Sequence, residues 1–425
     1  MNRCVKRVLF LVLVIILIST VSCNGPQGKK DSKELLQGNI KIVTDMEHGP
    51  QLKFAANRFS ETYKKVTVDV ITVKGTDDNI KSILDNSKYQ ADILTVNDSY
   101  VKHILSAYSD KILKITDSVS LYKNILLSNK VNNDTIKGSI YALPWDTCPE
   151  TLIYRKDIFA KEGIDENNIK TWNDYIEAGK KIKKDTGKVF MADVSNYNSD
   201  IFLLLANQLG TSYFNESGKL GFQSQKWSKV MDIAKILYRE NLIKDFSSKS
   251  NLINGLKGDK IVSFIGDPTY AKSLMNTYSK DSYKWGIMKF PSFEAGGNRD
   301  VSVGGTNLII NKNTKQAKLA QTFINFALTD DKLQMDLLNK YGRFPANINI
   351  YNLVDFNKQV SYFDNRIWNL FAEVEQGSFN INYTKDFPRV REKVKKILTA
   401  TNVENKDFKT IMENIEMSLK SNLKK

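Results

Sequence analysis

The sequence predicts an α/β protein with two lobes. Between about residues 40 and 110, short apolar segments alternate with amphipathic helical segments, which is the rhythm of a layered α/β unit. After that point, helical patterns outnumber strand patterns. Neither an internal repeat nor a long low-complexity linker separates the halves of the 425-residue chain. We therefore expect two lobes, and a chain that crosses between them more than once.

The first predicted strands follow from short apolar runs. Residues 40–43 are mostly apolar, and in residues 66–70 valine alternates with a polar residue, which is the two-residue period of a strand. Residues 92–96 form the next predicted strand. Apolar side chains recur at helical spacing over residues 51–64, and residues 99–108 are predicted to form a second helix.

Helices dominate the remainder of the predicted secondary structure. Thr171 and Asp174 form a weak version of the capping box that begins a helix, with Asp in place of the usual Glu or Gln. Further helices are predicted over residues 200–209, 226–240, 315–328, 332–340 and 365–375, and in the charged segment after Pro388.

The first 23 residues have the pattern of a bacterial lipoprotein signal. Three basic residues precede the apolar run of residues 8–18, which is too short to cross a ~30 Å hydrocarbon core. The run leads to Cys23, so we expect residues 1–22 to be removed and Cys23 to carry acyl chains, palmitate among them. Residues 23–38 then form a lipidated, flexible tether. The alternative is an ordinary signal peptide followed by an incidental cysteine.

The composition is basic, but without the pattern of a nucleic-acid-binding protein. The chain has 62 Lys and Arg against 47 Asp and Glu, a formal charge of +15. Residues 1–22 contain three basic and no acidic residues, so their removal leaves +12. Lysines spread over the whole length are typical of a solvated surface, and no arginine-rich stripe is present. We expect no nucleic-acid partner.

Cysteine and histidine usage argues against disulfides, metals and cofactors. Cys4 lies within the signal and Cys23 is the predicted lipidation site, which leaves Cys148 without an intramolecular partner. His48 and His103 are the only histidines, so a structural zinc site is not expected. Catalytic motifs such as Gly-x-Ser-x-Gly, a Walker loop or HExxH are absent from the sequence. We therefore predict a binding protein without a cofactor, and not an enzyme.

Several motifs occur in a fixed order along the chain. They are FSETY (59–63), ADILTVND (91–98), GSIYALPW (138–145), TLIYRKD (151–157), FAKEGI (159–164), GDKIVSFIG (258–266), VGG (303–305) and YGRFPA (341–346). With these motifs, the segment from about residue 40 to residue 376 resembles family 1 of the extracellular solute-binding proteins, the receptors of carbohydrate ABC importers. The block from 138 to 164 is the most specific part of the resemblance.

The resemblance implies a type II periplasmic-binding-protein fold. Its two lobes would be joined by crossovers near residues 147–150, 300 and 346, with the ligand in the cleft between them. The resemblance also implies that the cleft closes by a hinge motion and that the permease recognises the closed, loaded form. The implied boundaries are residues 39–147 with 301–346 for the first lobe, and 148–300 with 347–425 for the second.

Sugar recognition needs hydrogen-bonding groups for hydroxyls and aromatic rings for the apolar sugar face. Asn97 and Asp98 follow a predicted strand at its carboxyl end, where α/β sheets bind ligands, although either residue could instead cap the next helix. Glu47 and His48 follow the first strand and match the family's first ligand-facing loop. His48 could equally be an exposed surface histidine.

Further candidate ligand contacts lie at the implied crossovers and in the second lobe. Trp145 and Asp146 sit at the first crossover, although Trp145 could instead pack in a lobe core. The same reservation applies to Trp368, which could also be a core residue. The remaining candidates are Tyr197, which Asn196 and Asn198 flank, Asp267, Tyr270, Gly305 and Arg343.

Together these features predict a monomeric, lipid-anchored extracytoplasmic protein that captures a sugar or oligosaccharide and delivers it to an ABC permease. A second hypothesis is a receptor for a different small solute, such as a polyamine or peptide. A cleft for a cationic ligand should be dominated by carboxylates, with few amides. A sensor that presents sugar to a membrane kinase and a surface glycosidase complete the set of hypotheses.

Overall fold

The computed structural model describes residues 36–85, 89–193, 201–246, 248–281, 284–400, 410, 413–414 and 416–419. The predicted signal sequence, Cys23 and Tyr197 lie outside these residues. Within them, the chain forms two large β-sheets, each between two hydrophobic clusters, and a separate two-stranded sheet of residues 135–136 and 139–140. No helix of the described part is both long and apolar enough to cross a membrane.

The strands and helices are numbered here in chain order. The strands are β1 Gly38–Thr44, β2 Val66–Thr72, β3 Ile93–Asn97, β4 Thr135–Ile136, β5 Ser139–Ile140, β6 Ala142–Pro144, β7 Pro149–Arg155, β8 Val189–Asp193, β9 Ile243–Asp245, β10 Ile261–Gly266, β11 Trp285–Met288, β12 Val301–Ser302 and β13 Thr306–Ile310. The helices are α1 Gly49–Thr62, α2 Ile80–Asp85, α3 Asp98–Tyr108, α4 Ser128–Asn133, α5 Lys156–Lys161, α6 Trp172–Thr186, α7 Ile201–Gln208, α8 Gln225–Arg239, α9 Lys249–Lys257, α10 Pro268–Thr277, α11 Ala317–Thr329, α12 Asp331–Tyr341, α13 Ile367–Gly377 and α14 Phe387–Ala400.

The first sheet has the strand order β2-β1-β3-β13-β6. Strand β1 runs parallel to β2 and β3, whereas β13 runs antiparallel to β3 and β6. Successive side chains of a strand point to opposite faces, so the apolar residues of β13 divide between two clusters. Leu308 and Ile310 pack on one face, and Ile309 packs on the other. Both faces of this sheet are therefore covered.

The second sheet has the order β11-β7-β10-β8-β9, and β12 pairs with the beginning of β7. Leu152 and Tyr154 of β7 contribute to one hydrophobic cluster, and Ile153 contributes to the other. Strand β8 runs parallel to β10 and β9, so the carboxyl ends of these strands meet at one edge of the sheet. That edge forms part of the cleft described below.

The helices that the sequence predicted are observed to within a few residues, whereas α2, α4, α5, α9 and α10 were not predicted. The capping box at the beginning of α6 is present: the Thr171 hydroxyl accepts from the backbone N–H of Asp174, and the Asp174 carboxylate accepts from that of Thr171. Helix α6 ends at Gly187, which adopts the left-handed conformation that favours glycine. Local capping chemistry therefore explains both ends of this helix.

Three connecting segments run side by side between the sheets. The first leads from β6 to β7, the second from β12 to β13, and the third follows α12. The backbone N–H of Thr147 in the first segment donates to the carbonyl of Phe344 in the third, and that of Val303 in the second donates to the carbonyl of Cys148 in the first. These three crossovers form the floor between the two lobes.

Candidate functional site

A cleft of about 590 Å³ lies between the two sheets, above the crossovers. Four strand ends contribute to its walls. Asp45 follows β1 and Asn97 ends β3 on the first lobe, while Asp193 ends β8 and Asp267 follows β10 on the second. Ligands of open α/β sheets bind beyond the carboxyl ends of strands. The cleft is therefore the candidate ligand site.

The structure brings many of the predicted site residues to this cleft. Those that line it are Glu47, His48, Asn97, Asp146, Asp267, Tyr270 and Gly305. Lining residues that the sequence analysis did not select include Asp45, Asp77, Cys148, Glu150 and Asp193.

His48 connects the loop after β1 to the first crossover and to the first residue of β13. Its Nδ1 lies 2.8 Å from Asp45 Oδ2, and its Nε2 lies 3.1 Å from Thr306 Oγ1 and 3.5 Å from Asp146 Oδ2. Asp45 also fixes the loop, because its Oδ1 accepts the backbone N–H groups of Glu47 and His48. The imidazole is thus held between two carboxylates at the base of the cleft.

These contacts shift the pKa values of both partners. Burial acts to lower the pKa of His48, but the hydrogen bonds that Asp146 and Asp45 accept from the imidazole, together with their negative charges, outweigh it and raise the pKa well above 6.5. Burial acts to raise the pKa of Asp45, but the hydrogen bond and charge of His48 lower it to about 2. His48 is therefore a cation in this site at neutral pH.

Asn97 and Asp77 form a second polar group on the first lobe. The backbone N–H of Asn97 donates to Asp77 Oδ1 at 2.9 Å, and the Asn97 Oδ1 caps α3 by accepting from the backbone N–H of Ser99. Only 8% of Asn97 is exposed, and its Nδ2 has no acceptor among the described residues. Burial, together with the charges of Asp45 and Asp78, raises the pKa of Asp77 to about 7.

The second lobe presents Asp267, Cys148 and Tyr270 to the cleft. The Asp267 Oδ1 caps α10 by accepting the backbone N–H groups of Thr269 and Tyr270. Its Oδ2 lies 3.4 Å from the Cys148 Sγ. Burial and the neighbouring carboxylates raise the pKa of the Cys148 thiol well above its usual value, so it is not a thiolate nucleophile.

Gly305 occupies a position in the second crossover that excludes other residues. Its φ of +119° is unfavourable for residues with a side chain. A Cβ atom there would also lie 2.8 Å from the carbonyl oxygen of Asp146. Glycine therefore permits the first and second crossovers to approach each other at the base of the cleft.

Four predicted site residues lie outside the cleft wall. Trp145 is fully buried in the first lobe, and its Nε1 donates to Gln51 Oε1 at 3.3 Å. Arg343 is also fully buried, with its guanidinium 4.0 Å from the centre of the Trp145 ring. Trp368 packs in the core of the second lobe beside Phe371. Both tryptophans are therefore core residues, and their predicted place in the cleft was wrong.

Asp98 is the fourth of these residues. It is the first residue of α3, and its carboxylate turns away from the cleft to pair with Lys130 Nζ and to accept from Asn307 Nδ2. Tyr197 lies outside the described residues, so its predicted contact has no counterpart here.

The residues that the sequence analysis missed differ in whether a sequence signal could have identified them. Asp45 and Asp193 have the same strand-end signal that selected Asn97, and this signal could have found them. Glu150 lies inside β7, where a ligand-facing residue and a core residue alternate without a local distinguishing pattern. Among the described residues, no three His, Cys, Asp or Glu side chains are arranged to hold a metal ion.

Comparisons with known proteins agree with this geometry. The chain matches the family described as bacterial extracellular solute-binding protein over residues 45–333. It is 23% identical to an arabinooligosaccharide-binding protein of Bacillus subtilis (strain 168), covering 91% of this chain and 92% of the relative. A lactose-binding protein of Rhizobium radiobacter is 21% identical, covering 76% of this chain and 78% of the relative.

Similarity to solved structures extends over most of the described fold. Maltose-bound MalE3 of T. maritima superposes with a TM-score of 0.75 at 20% identity, covering 90% of this chain and 99% of the other. This similarity confirms the predicted two-lobed fold of the type II periplasmic binding proteins. The family match covers more than half of the sequence, from the loop after β1 to the beginning of α12. The chain therefore belongs to the bacterial extracellular solute-binding protein family.

Proposed function

We propose that this protein is a lipid-anchored extracytoplasmic receptor that captures a saccharide and delivers it to an ABC permease. The observation that carries the proposal is the cleft itself, whose two walls present strand ends rich in hydrogen-bonding side chains. The similarity to oligosaccharide-binding and lactose-binding proteins supports a saccharide as the solute.

The cleft offers both kinds of contact that a saccharide needs. Asn97 Nδ2 is available as a donor to a hydroxyl oxygen, and the carboxylates are available as acceptors of hydroxyl protons. Tyr270 and the exposed Met46 line the cleft from opposite lobes and supply apolar surface for a sugar face. A ligand that contacts both lobes would favour hinge closure over the crossovers, which gives the permease a loaded form to recognise.

The saccharide proposal is tested by the thermal unfolding of the full chain with arabinooligosaccharides, maltose, lactose and amine-bearing sugars. A ligand present at 100 times its dissociation constant adds about 2.7 kcal/mol to the free energy of unfolding. We expect at least one saccharide series to raise the unfolding temperature. Tyr270→Ala should raise the saccharide concentration needed for the same increase in unfolding temperature at least tenfold. Phe379→Ala removes an exposed ring that does not line the cleft, and it should leave this concentration unchanged. Silence toward every saccharide would contradict the proposal.

The anchor is tested separately. Expression of the chain in a bacterium that lipidates its own lipoproteins should give a membrane-bound, palmitate-labelled product. Cys23→Ser should release an unlabelled protein that retains ligand binding. A wild-type product that is released and unlabelled would contradict the anchor without affecting the saccharide proposal.

A further inference from the structure

Two cavities lie between the lobes, one on each side of the crossovers. Thr147 of the first crossover lines the cleft of about 590 Å³ and donates its hydroxyl to Glu375. Glu375 lines a second cavity of about 30 Å³, here named the rear cavity. Lys130 of α4 borders it from the first lobe, and Glu375 of α13 borders it from the second. The lobes are therefore well separated at the front and nearly in contact at the rear.

We propose that the contact between the lobes around the rear cavity, here named the rear contact, holds the cleft open in the free protein and thereby limits its affinity for a saccharide. The inference rests on the proposed function, because it concerns the closure of the same cleft around its ligand. A rotation about the crossovers that brings the front walls together moves the rear walls apart. Attractions that this rotation breaks oppose closure, and ligand binding has to overcome them.

The cleft is accessible to solvent in the arrangement that the structure shows. Met46, Glu47 and Lys74 line the cleft and are nevertheless exposed. Pockets that hold a ligand bury most of its surface, so a closed cleft would cover side chains of this kind. The rear contact therefore belongs to the open arrangement of the lobes.

The centre of the rear contact is an electrostatic attraction between Lys130 and Glu375, which are both buried. Burial acts to lower the pKa of Lys130, but the negative charges of Asp98 and Glu375 outweigh it and raise the pKa above its usual value. Glu375 Oε2 accepts two hydroxyl groups, whereas Oε1 is buried without a hydrogen-bond partner among the described residues. Lys130 is the only cation among the described residues that line the rear cavity. The charge of Glu375 therefore acts on Lys130 across the gap between the lobes.

The second crossover is held from both lobes at Gly304. Its backbone N–H donates to the hydroxyl of Tyr383 at 3.1 Å, and Tyr383 packs in the core of the second lobe. Its carbonyl accepts from Lys130 Nζ of the first lobe. The φ of Gly304 is +102°, a conformation that favours glycine. The rear contact thus reaches the crossover itself, so a rotation of the lobes changes its geometry directly.

At its outer edge, the rear contact joins two helices of different lobes. Helix α3 of the first lobe lies beside α14 of the second. His103 Nδ1, in α3, lies 2.8 Å from the backbone carbonyl oxygen of Lys385, just before α14. This contact links the lobes without an intervening crossover. Closure therefore has to separate groups from the buried Lys130 out to the protein surface.

The affinity of the full chain for saccharides provides the first test. Glu375→Gln removes the charge but keeps an oxygen that can accept from the hydroxyls of Thr147 and Ser302. We expect whichever of arabinooligosaccharides, maltose and lactose binds the wild type to bind this variant roughly threefold more tightly or better, because the open form loses an attraction. Glu375 does not line the cleft, so the gain would not come from a contact with the ligand. Unchanged or weaker affinity would overturn the inference.

Two control variants change neither the cleft nor the rear contact. Glu177→Gln removes an exposed charge on α6 and is matched to Glu375→Gln in chemistry. Phe379 borders the rear cavity, but its ring lies against Gly210 of the same lobe. Phe379→Ala should therefore leave the attraction across the rear cavity intact. We expect both controls to keep the wild-type affinity, and the thermal unfolding of each free variant verifies that it is folded.

A distance between the lobes, measured without ligand, tests the cause directly. Lys81→Cys in α2 and Asn276→Cys in α10 place spin labels at exposed positions on different lobes, in a chain whose native cysteines are replaced by serine. Pulsed electron paramagnetic resonance then compares the free protein with and without Glu375→Gln. We expect Glu375→Gln to raise the fraction of short distances roughly threefold or more, in line with the change in affinity. An unchanged distance distribution would overturn the inference, even if the affinity rises.

The possible outcomes separate the inference from the proposed function. If saccharides bind wild type and Glu375→Gln equally and the distances agree, the receptor stands and the inference fails. If no saccharide binds either protein, the proposed function fails, and the distances in the free protein still decide whether the rear contact opposes closure.

Discussion

The cleft and the polar cluster buried behind it share neighbouring residues but differ in how charge is balanced. Asn97 lines the cleft, whereas the next residue, Asp98, belongs to the buried cluster. In that cluster Lys130 Nζ pairs with Asp98, and Asn307 Nδ2 donates to the same carboxylate at 2.6 Å. Lys130 also donates to the carbonyl of Gly304 in the second crossover. The buried carboxylate is thus matched by donors from several segments.

Glu375 extends this cluster to the crossovers. Its Oε2 accepts from Thr147 Oγ1 at 2.6 Å and from Ser302 Oγ at 2.5 Å, so one side chain of α13 joins the first crossover to β12. Carboxylates at similar places in the fold therefore have different roles. Glu375, behind the cleft, joins segments of the two lobes through hydroxyl groups, whereas Asp45 and Asp146, in the cleft, hold the imidazole of His48 between them.

The largest expected effect comes from breaking the buried pair. Lys130→Met leaves the Asp98 carboxylate buried without its cation, and removal of one partner of a buried ion pair costs about 3–5 kcal/mol. We expect the free energy of unfolding, measured by urea denaturation, to fall by that amount. Lys180→Met, which breaks an exposed pair with Glu177, should change it by less than about 1 kcal/mol.

A double variant tests the same pair more sharply. Lys130→Met with Asp98→Asn removes both charges, so it should be more stable than Lys130→Met alone. If Lys130→Met lowers the free energy of unfolding no more than Lys180→Met does, the buried ion pair stabilises the fold no more than an exposed pair.

Sequence reasoning predicted the strands and helices better than it predicted which side chains face the cleft. The alternation of valine and polar residues in β2, and the capping box at Thr171, are local signals that determine an element without help from distant residues. The order of the motifs then indicated the two-lobed fold. The bounds of the observed helices differ from the predicted ones by a few residues because propensity changes gradually at helix ends.

The facing of individual side chains could not be read from the sequence. Of the adjacent residues Asn97 and Asp98, only Asn97 lines the cleft. Of the adjacent residues Trp145 and Asp146, only Asp146 lines it. Successive residues of an extended segment point to opposite sides, so an uncertainty of one position reverses the assignment. Arg343 illustrates the same limit, because its stacking on Trp145 joins residues from different crossovers.

An effect of intermediate size is expected at His48, the principal cation among the cleft carboxylates. A raised folded-state pKa means that the stability His48 contributes is fully present below its ordinary pKa and is lost as pH rises through the raised value. His48→Gln should therefore lower the free energy of unfolding by about 2 kcal/mol near pH 5.5, the scale of a hydrogen bond to a charged group. The difference should shrink as pH rises through the raised pKa of His48.

Denaturation curves collected across this pH range provide the measurement, with His103→Gln as the control. His103 Nδ1 contacts the backbone carbonyl of Lys385, and the imidazole forms no ion pair with a described carboxylate. A loss for His48→Gln that stays constant with pH would mean that proton binding by His48 does not stabilise the fold.

The smallest expected effect has the opposite sign and concerns Asp77. Its folded-state pKa of about 7 lies above the usual value of 3.8, so the stability present below that value is lost as pH rises through about 7. Asp77→Asn should therefore raise the free energy of unfolding by about 1 kcal/mol at pH 8.5 and by less at pH 5. The expected gain is smaller than the pKa shift alone would give, because Asp77 is partly solvated. The asparagine Oδ1 can still accept from the backbone N–H of Asn97. A variant less stable than the wild type at pH 8.5 would show that Asp77 supports the fold, like the buried carboxylates. A more stable variant would mean that the ionised Asp77 carboxylate weakens the fold of the free protein.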